Sequence, residues 1–274
     1  MKRQNHLLSS SLMRLLLMRK LSLFCAIITV WVAGYGSRAM AYVSYGPVSL
    51  WDTSYSDTNG WNGHSSYWQT IQYADLNGDK KADVCGRGGN GLVCALSTGS
   101  GFGAPSLWTS NYSDAFGWNT SSAYWQTIQY ADLNGDKKAD VCGRGGDGIL
   151  CALSTGSGFG TPSLWTSNYS DAFGWNSSSA YWQTIQYADL DGDKMADVCG
   201  RGGDGILCAY SQGTSFGTVW LKFSDYSDAN GWATAPSYWQ TIQYADLNGD
   251  GVADVCGRGG AGLWCSASKI VIIH

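Results

Sequence analysis

The chain has few of the residues on which hydrolytic and proton-transfer chemistry depends. Glutamate is absent, all 21 acidic residues being aspartate, and of the three histidines only His64 and His274 follow residue 41. Neither histidine recurs with the other motifs, so no repeated Ser-His-Asp set exists, and a glutamate general acid is excluded. A pair of aspartates could still act in glycoside hydrolysis. The sequence therefore favours a binding protein over an enzyme.

Basic clusters and long hydrophobic runs are also scarce beyond residue 41. Eleven basic residues stand against 21 acidic ones there, which argues against nucleic acids and anionic membranes as partners. The apolar run 21–34 follows a basic lead and precedes Ala39-Met40-Ala41, a pattern typical of a secretory signal. We predict a signal peptide over 1–41 and a secreted mature chain over 42–274. An uncleaved N-terminal anchor is the alternative.

What the chain has instead is a nine-residue stretch that occurs four times. It begins at residues 75, 132, 189 and 246, a constant spacing of 57 residues, and reads DLNGDKKAD in its first two copies. A fixed period indicates one structural unit copied in tandem. We place the repeats around 67–123, 124–180, 181–237 and 238–274, with 42–66 completing the last.

Each stretch carries oxygen-bearing side chains at positions one, three, five and nine, with Gly at position four. This pattern suits a loop that wraps a hard cation, and three unpaired carboxylates so close would otherwise repel one another. Ordinary turns without metal are the alternative. We predict about four calcium ions. The predicted ligands, with position seven offering its carbonyl oxygen, are Asp75, Asn77, Asp79, Lys81, Asp83, Asp132, Asn134, Asp136, Lys138, Asp140, Asp189, Asp191, Asp193, Met195, Asp197, Asp246, Asn248, Asp250, Val252 and Asp254.

Cysteine supports an oxidising compartment, because each repeat carries two cysteines around a glycine-rich hairpin. If Gly89-Asn90 is a two-residue type II′ turn, Cys85 and Cys94 face each other in a non-hydrogen-bonded pair, where a cross-strand disulfide fits. A turn at Asn90-Gly91 would separate them. Free buried thiols are the other reading. The predicted disulfides are Cys85–Cys94, Cys142–Cys151, Cys199–Cys208 and Cys256–Cys265.

Short runs rich in β-formers fill the rest of each repeat, with no helical periodicity. In the first repeat we predict strands in 67–75, 82–89, 91–98 and 106–109. Four short strands per unit are typical of a blade of a β-propeller, so the predicted fold is an all-β propeller of four blades. The SLWD segment at 49–52 could supply the outer strand that the last blade lacks and close the ring. Two chains sharing a larger ring is the alternative.

The aspartate loops, together with Gly101-Phe102-Gly103-Ala104-Pro105, resemble the FG-GAP/VCBS repeat family. The resemblance covers essentially all of 42–265. It implies a β-propeller with calcium bound in loops between neighbouring strands of each blade, as in adhesins, integrin heads and propeller lectins. The chain departs from the family's common seven blades, since four are counted here.

A second repeated set consists of one tryptophan and one arginine per repeat. A sugar ring stacks on an exposed tryptophan, and arginine can hold its hydroxyls. The alternatives are tryptophan packing between blades and arginine pairing with aspartate. The candidate ligand-binding residues are Trp61, Trp118, Trp175, Trp232, Arg87, Arg144, Arg201 and Arg258.

Together these patterns predict a secreted, calcium-binding adhesion module that binds carbohydrate. An extracellular protein-interaction scaffold with purely structural calcium is the alternative, and an accessory partner of a secreted hydrolase is a third reading. The expected partner is a glycan or an extracellular protein, with no nucleic acid and no membrane after signal cleavage, and a homo-oligomer is possible. N-glycosylation sequons begin at Asn111, Asn119, Asn168 and Asn176.

Overall fold

The computed structural model describes residues 43–269. The predicted signal peptide lies outside the described residues. Residues 43–48 are exposed and have no regular secondary structure, and the compact unit begins at Ser49. Within the described part of the chain, no helix is long and apolar enough to cross a membrane.

Between residues 43 and 269, fifteen strands form four antiparallel sheets, one for each repeat. The bounds are β1 Gln72–Ala74, β2 Asp83–Gly88, β3 Gly91–Ala95, β4 Ser106–Thr109, β5 Gln129–Ala131, β6 Asp140–Gly145, β7 Gly148–Ala152, β8 Ser163–Thr166, β9 Gln186–Ala188, β10 Asp197–Gly202, β11 Gly205–Ala209, β12 Trp220–Phe223, β13 Gln243–Ala245, β14 Asp254–Gly259 and β15 Gly262–Ser266. The all-β prediction is confirmed.

The strands follow one another in sequence order within each sheet, as in a meander. The first three sheets have four strands, and the fourth has three, β13–β14–β15. The described SLWD segment at 49–52 is not a strand and does not pair with β15. The expected closure of the fourth sheet by the N-terminal segment is therefore not present in this structure.

The hairpin register agrees with the sequence prediction, but the turn type does not. Cys85 pairs with Cys94 and Gly88 with Gly91, and all four predicted disulfides are formed, each with Cα atoms 4.1–4.2 Å apart. A type II′ turn requires a positive φ at Gly89, whereas the positive φ, 129°, lies at Gly91. Cross-strand pairing fixes the register here without that turn.

The predicted strand over 67–75 is wrong in its first half. One-turn α-helices precede the inner strands: α1 Ser65–Trp68, α2 Ser122–Trp125, α3 Ser179–Trp182 and α4 Pro236–Trp239. In α2 the Ser121 side chain accepts a hydrogen bond from the Ala123 N–H, which caps the turn. Thr127 donates to the Tyr124 carbonyl and ends it. These local bonds outweigh the alternating pattern that suggested a strand.

The four sheets follow each other through contacts between their innermost strands. Gln72 on β1 donates to the Ile128 carbonyl at 2.6 Å, and the same bond links the second sheet to the third and the third to the fourth. Three hydrophobic clusters fill the spaces between consecutive sheets. The core is thus divided among the junctions, each built from two neighbouring repeats.

Candidate functional site

The first and last aspartates of each loop hold the loop backbone. In the first loop, the Asp75 carboxylate accepts hydrogen bonds from the N–H groups of Gly78 and Lys80, both at 2.7 Å. Asp83 accepts from Leu76 at 2.9 Å and from Ser97 at 2.7 Å. Gly78 and Lys80 have φ of 81° and 67°, so the loop makes two left-handed turns within three residues. The aspartate pattern is what permits this tight backbone.

The predicted middle ligands differ among the loops. In the first two, the Lys81 and Lys138 ammonium groups lie 2.6 and 2.7 Å from the carboxylates of Asp79 and Asp136. Asn77 and Asn134 accept backbone N–H groups within their own loops. Met195 and Val252 replace the lysine in the third and fourth loops. The first two loops therefore already carry an internal cation, and the last two do not.

The third loop brings three carboxylates together. Ligand oxygens of Asp189, Asp191 and Asp197 all lie within 4.8 Å of one another, the one such group among the described residues. Burial raises the pKa of the Asp197 carboxyl to about 7 and that of Asp140 to about 6. Asp193 instead accepts the Met195 N–H. Three convergent hard oxygens without a neighbouring ammonium fit a divalent cation such as calcium.

Pockets of similar size recur at equivalent positions in the second, third and fourth repeats. Their volumes are about 300, 360 and 330 Å³. Each is lined by the loop tryptophan, the tyrosine of the short helix and the glycines of the central hairpin. In the second repeat these are Trp118, Tyr124, Gly145 and Gly146. By the repeat bounds given above, each pocket combines the end of one repeat with the sheet of the next, since Trp118 lies in 67–123 and Tyr124, Gly145 and Gly146 lie in 124–180.

The loop tryptophans form the inner wall of these pockets rather than an exposed platform. Trp118 is 6% exposed, and its ring lies 4.6 Å from that of Tyr112, centre to centre. A Cβ on Gly143 would come within 2.7 Å of the indole, so the ring occupies the space of the missing side chain. Trp61, Trp175 and Trp232 are buried in the same way against Gly86, Gly200 and Gly257. Their faces are therefore not open for stacking on a sugar.

The exposed aromatic residue at the pocket rim is one that the sequence analysis overlooked. Phe116 and Phe173 are 64% and 65% exposed and line the pockets of the second and third repeats. Asp147 and Asp204 lie at the same two pockets. The signal was in the sequence, since a phenylalanine immediately precedes Gly-Trp in only these two repeats. In the pocket of the fourth repeat, Asn230 stands in place of the phenylalanine and Ala261 in place of the aspartate.

Three of the candidate arginines are internal ion-pair partners. Arg87, Arg144 and Arg201 are fully buried and pair with Asp114, Asp171 and Asp228 of the following segment. Arg144 also donates to the carbonyls of Tyr169 at 2.7 Å and Ala123 at 3.2 Å. All three guanidinium groups are thus held inside the protein, although the buried Nε of Arg87 has no hydrogen-bond partner there. Arg258 differs, because it is exposed.

No protein-family model matches the chain, and no curated protein is significantly similar to it in sequence. Solved structures do resemble it. A lectin from Agrocybe aegerita that specifically recognises non-reducing terminal N-acetylglucosamine aligns with a TM-score of 0.62 and 28% sequence identity. The alignment covers 74% of this chain and 52% of the lectin, so the chain spans about half of the lectin's length.

A chain of the Tc holotoxin pore from Photorhabdus luminescens aligns with a TM-score of 0.50 and 19% identity. That alignment covers 71% of this chain and 8% of the toxin chain. At this identity the likeness concerns the fold alone.

Proposed function

We propose that this protein is a secreted, lectin-like module that binds glycans through the pockets of its second and third repeats. The observation that carries the proposal is the pair of equivalent pockets, each with an exposed phenylalanine and an aspartate. The likeness to the N-acetylglucosamine-specific lectin supports carbohydrate as the ligand class, and the four disulfides are consistent with an extracellular protein. The proposed role is binding rather than catalysis.

The chemistry of the pocket suits an N-acetylated sugar. Phe116 offers an exposed ring on which the apolar face of a pyranose stacks. Asp147 and Asn111 supply polar groups for ring hydroxyls, and Trp118 and Tyr124 form an apolar inner wall that suits an acetamido methyl group. A volume of about 300 Å³ matches one or two sugar residues.

For the fold, we propose that the four sheets are blades of a β-propeller of the FG-GAP/VCBS type. Support comes from the meander order of each sheet and from innermost strands that contact each other in sequence order. In this arrangement the repeated pockets face outward at regular intervals.

Calcium is proposed as a structural ion, with the third loop as its strongest site. When bound there, it would neutralise the carboxylates of Asp189, Asp191 and Asp197, which otherwise repel one another. Thermal unfolding of the oxidised protein with calcium and with chelator tests this: a rise in Tm with calcium, lost in Asp191→Ala, is expected. An unchanged Tm would contradict it.

Binding of glycans to the full secreted protein tests the main proposal. We expect oligosaccharides ending in N-acetylglucosamine to bind, and Phe116→Ala combined with Phe173→Ala to weaken binding at least tenfold. Leu107→Ala with Val48→Ala is the matched control, because those side chains are also exposed and neither lines the pocket of the second or the third repeat. If the folded protein binds no glycan, the extracellular protein scaffold becomes the better explanation.

A further inference from the structure

Each internal junction between sheets is made by the same set of bonds. At the first junction, Arg87 pairs with Asp114, and the Asp114 N–H donates to the Gly89 carbonyl at 2.9 Å. The Tyr67 hydroxyl donates to the same carboxylate at 2.9 Å. The second and third junctions repeat all three bonds one period later. Each sheet thus receives one aspartate from the segment that connects its outer strand to the next repeat.

The junctions also bury matching apolar side chains. Leu92 on the first sheet is fully buried at 0% exposure, and Trp125, in the helix that precedes the second sheet, is 6% exposed in the same cluster. Ile149 and Trp182, and then Ile206 and Trp239, repeat this packing. A leucine or isoleucine from one repeat and a tryptophan from the next therefore define a completed junction.

The fourth sheet carries the residues that, in the first three sheets, pack against the following sheet, but no sheet follows it among the described residues. Leu263, the counterpart of Leu92, is 77% exposed, and Leu247, the counterpart of Leu76 in the same cluster, is 56% exposed. Within residues 43–269, Arg258 has no carboxylate partner, and β15 pairs only with β14. We call these residues, with Tyr238 and Gly260, the tail face.

The first sheet carries the residues that, in the later sheets, pack against the preceding sheet, but no sheet precedes it among the described residues. Trp68, the counterpart of Trp125, is 51% exposed, and Trp51 and Tyr73, whose rings both lie near Phe102, are exposed as well. Asp57 stands one period before Asp114, is exposed, and forms no ion pair among the described residues. We call these residues, together with Ser49–Asp52, the head face.

We propose that the tail face of one copy binds the head face of a second copy of this chain. The 57-residue period places the carboxylate of Asp57 of the second copy opposite Arg258 and Tyr238. It places the backbone N–H of the same aspartate opposite the Gly260 carbonyl. By the register of β3 with β4, where Cys94 pairs with Ser106, the period also places Ser49 opposite Cys265. The segment 49–52 then adds a fourth strand to β15.

A second copy fits this surface because the chain itself carries the other half. The faces match in charge, through Arg258 and Asp57, in backbone pairing and in apolar residues. Contact between unlike faces is heterologous, so it leaves one tail and one head face free unless the assembly closes. Two such contacts join eight sheets in one ring, within the range of about four to eight blades of propellers. The inference is independent of the proposed sugar sites.

Sedimentation of the full chain, secreted so that its disulfides form, tests the proposal. We expect an assembly of at least twice the chain mass. Leu263→Ser and Asp57→Arg each remove one face, and each variant is expected to lose the ring and shift toward the mass of one chain. Leu164→Ser is the matched control, because Leu164 is exposed on an outer strand away from both faces.

Mixing the two variants separates a head-to-tail contact from other arrangements. The Asp57→Arg chain keeps its tail face and the Leu263→Ser chain keeps its head face, so the mixture should regain dimers through one intact junction. A single-chain mass at every concentration would overturn the proposal and favour closure of the ring within one chain. A dimer unaffected by either substitution would overturn it as well.

Discussion

At the scale of single residues, the repeated tryptophan and glycine act as one unit. The Trp118 indole occupies the space beside Gly143 that any other residue would fill with a side chain. The same contact recurs at Gly86, Gly200 and Gly257. The central strand of each sheet can therefore carry only glycine at this position while the ring stays in place.

Gly143→Ala is expected to destabilise the protein by about 1–3 kcal/mol, because the new methyl group would lie 2.7 Å from the indole. Denaturant unfolding of the oxidised protein measures this change. Gly63→Ala is the control, since nothing lies within 4 Å of the added Cβ and the backbone there needs no left-handed conformation. Equal stability of the two variants would contradict the packing described here.

At the scale of elements, the sequence predicted what depends on pairing and period and missed what depends on local capping. The register that brings Cys85 to Cys94 follows from the two-residue separation of the hairpin strands. The helix Ser122–Trp125 was missed because its alternating residues look like a strand, while Ser121 and burial of Trp125 decide the conformation. The rim residues Phe116 and Phe173 were not predicted because a loop tryptophan recurs in four copies and offers the larger ring, whereas this phenylalanine occurs in only two copies.

Each disulfide closes a short hairpin with a sequence separation of nine residues. Replacing Cys142 and Cys151 together by alanine is expected to cost about 2–3 kcal/mol, since the unfolded chain regains the freedom of a short loop. Denaturant unfolding measures the loss. The hairpin register should survive, because Gly145 still pairs with Gly148. Loss of glycan binding with unchanged stability would contradict a structural role for this bond.

The second and third loops differ at position seven, which is Lys138 in one and Met195 in the other. This difference gives a reciprocal test of the metal proposal. Met195→Lys should lower calcium affinity at the third loop by at least tenfold, because it introduces the ammonium that Lys138 places on Asp136. Lys138→Met should raise affinity at the second loop. Calorimetric titration of both variants measures these changes. Identical titration curves for the wild type and both variants would exclude the loops as calcium sites.

At the scale of the whole molecule, the proposal of two equivalent glycan pockets predicts multivalent binding. Phe116→Ala alone should remove one of two sites for a soluble sugar and leave the Kd of the other unchanged. Binding to a glycan-coated surface should fall by more than tenfold, because the second attachment within one molecule is lost. Surface binding compared with solution titration measures the difference. A fall of only twofold on the surface would show that the pockets act separately.

The sameness of the junctions also affects how the chain reaches its native state. The buried arginines pair with aspartates from nearly identical segments. An aspartate from the wrong repeat can therefore pair with Arg87, Arg144 or Arg201 as well as the native one does. A misfolded chain in which the third repeat packs directly on the first forms a complete junction and leaves the second repeat unpacked. Such a trap has nearly native energy and is escaped only by undocking. Synthesis from the N-terminus counteracts it, because each repeat emerges beside the one it must join.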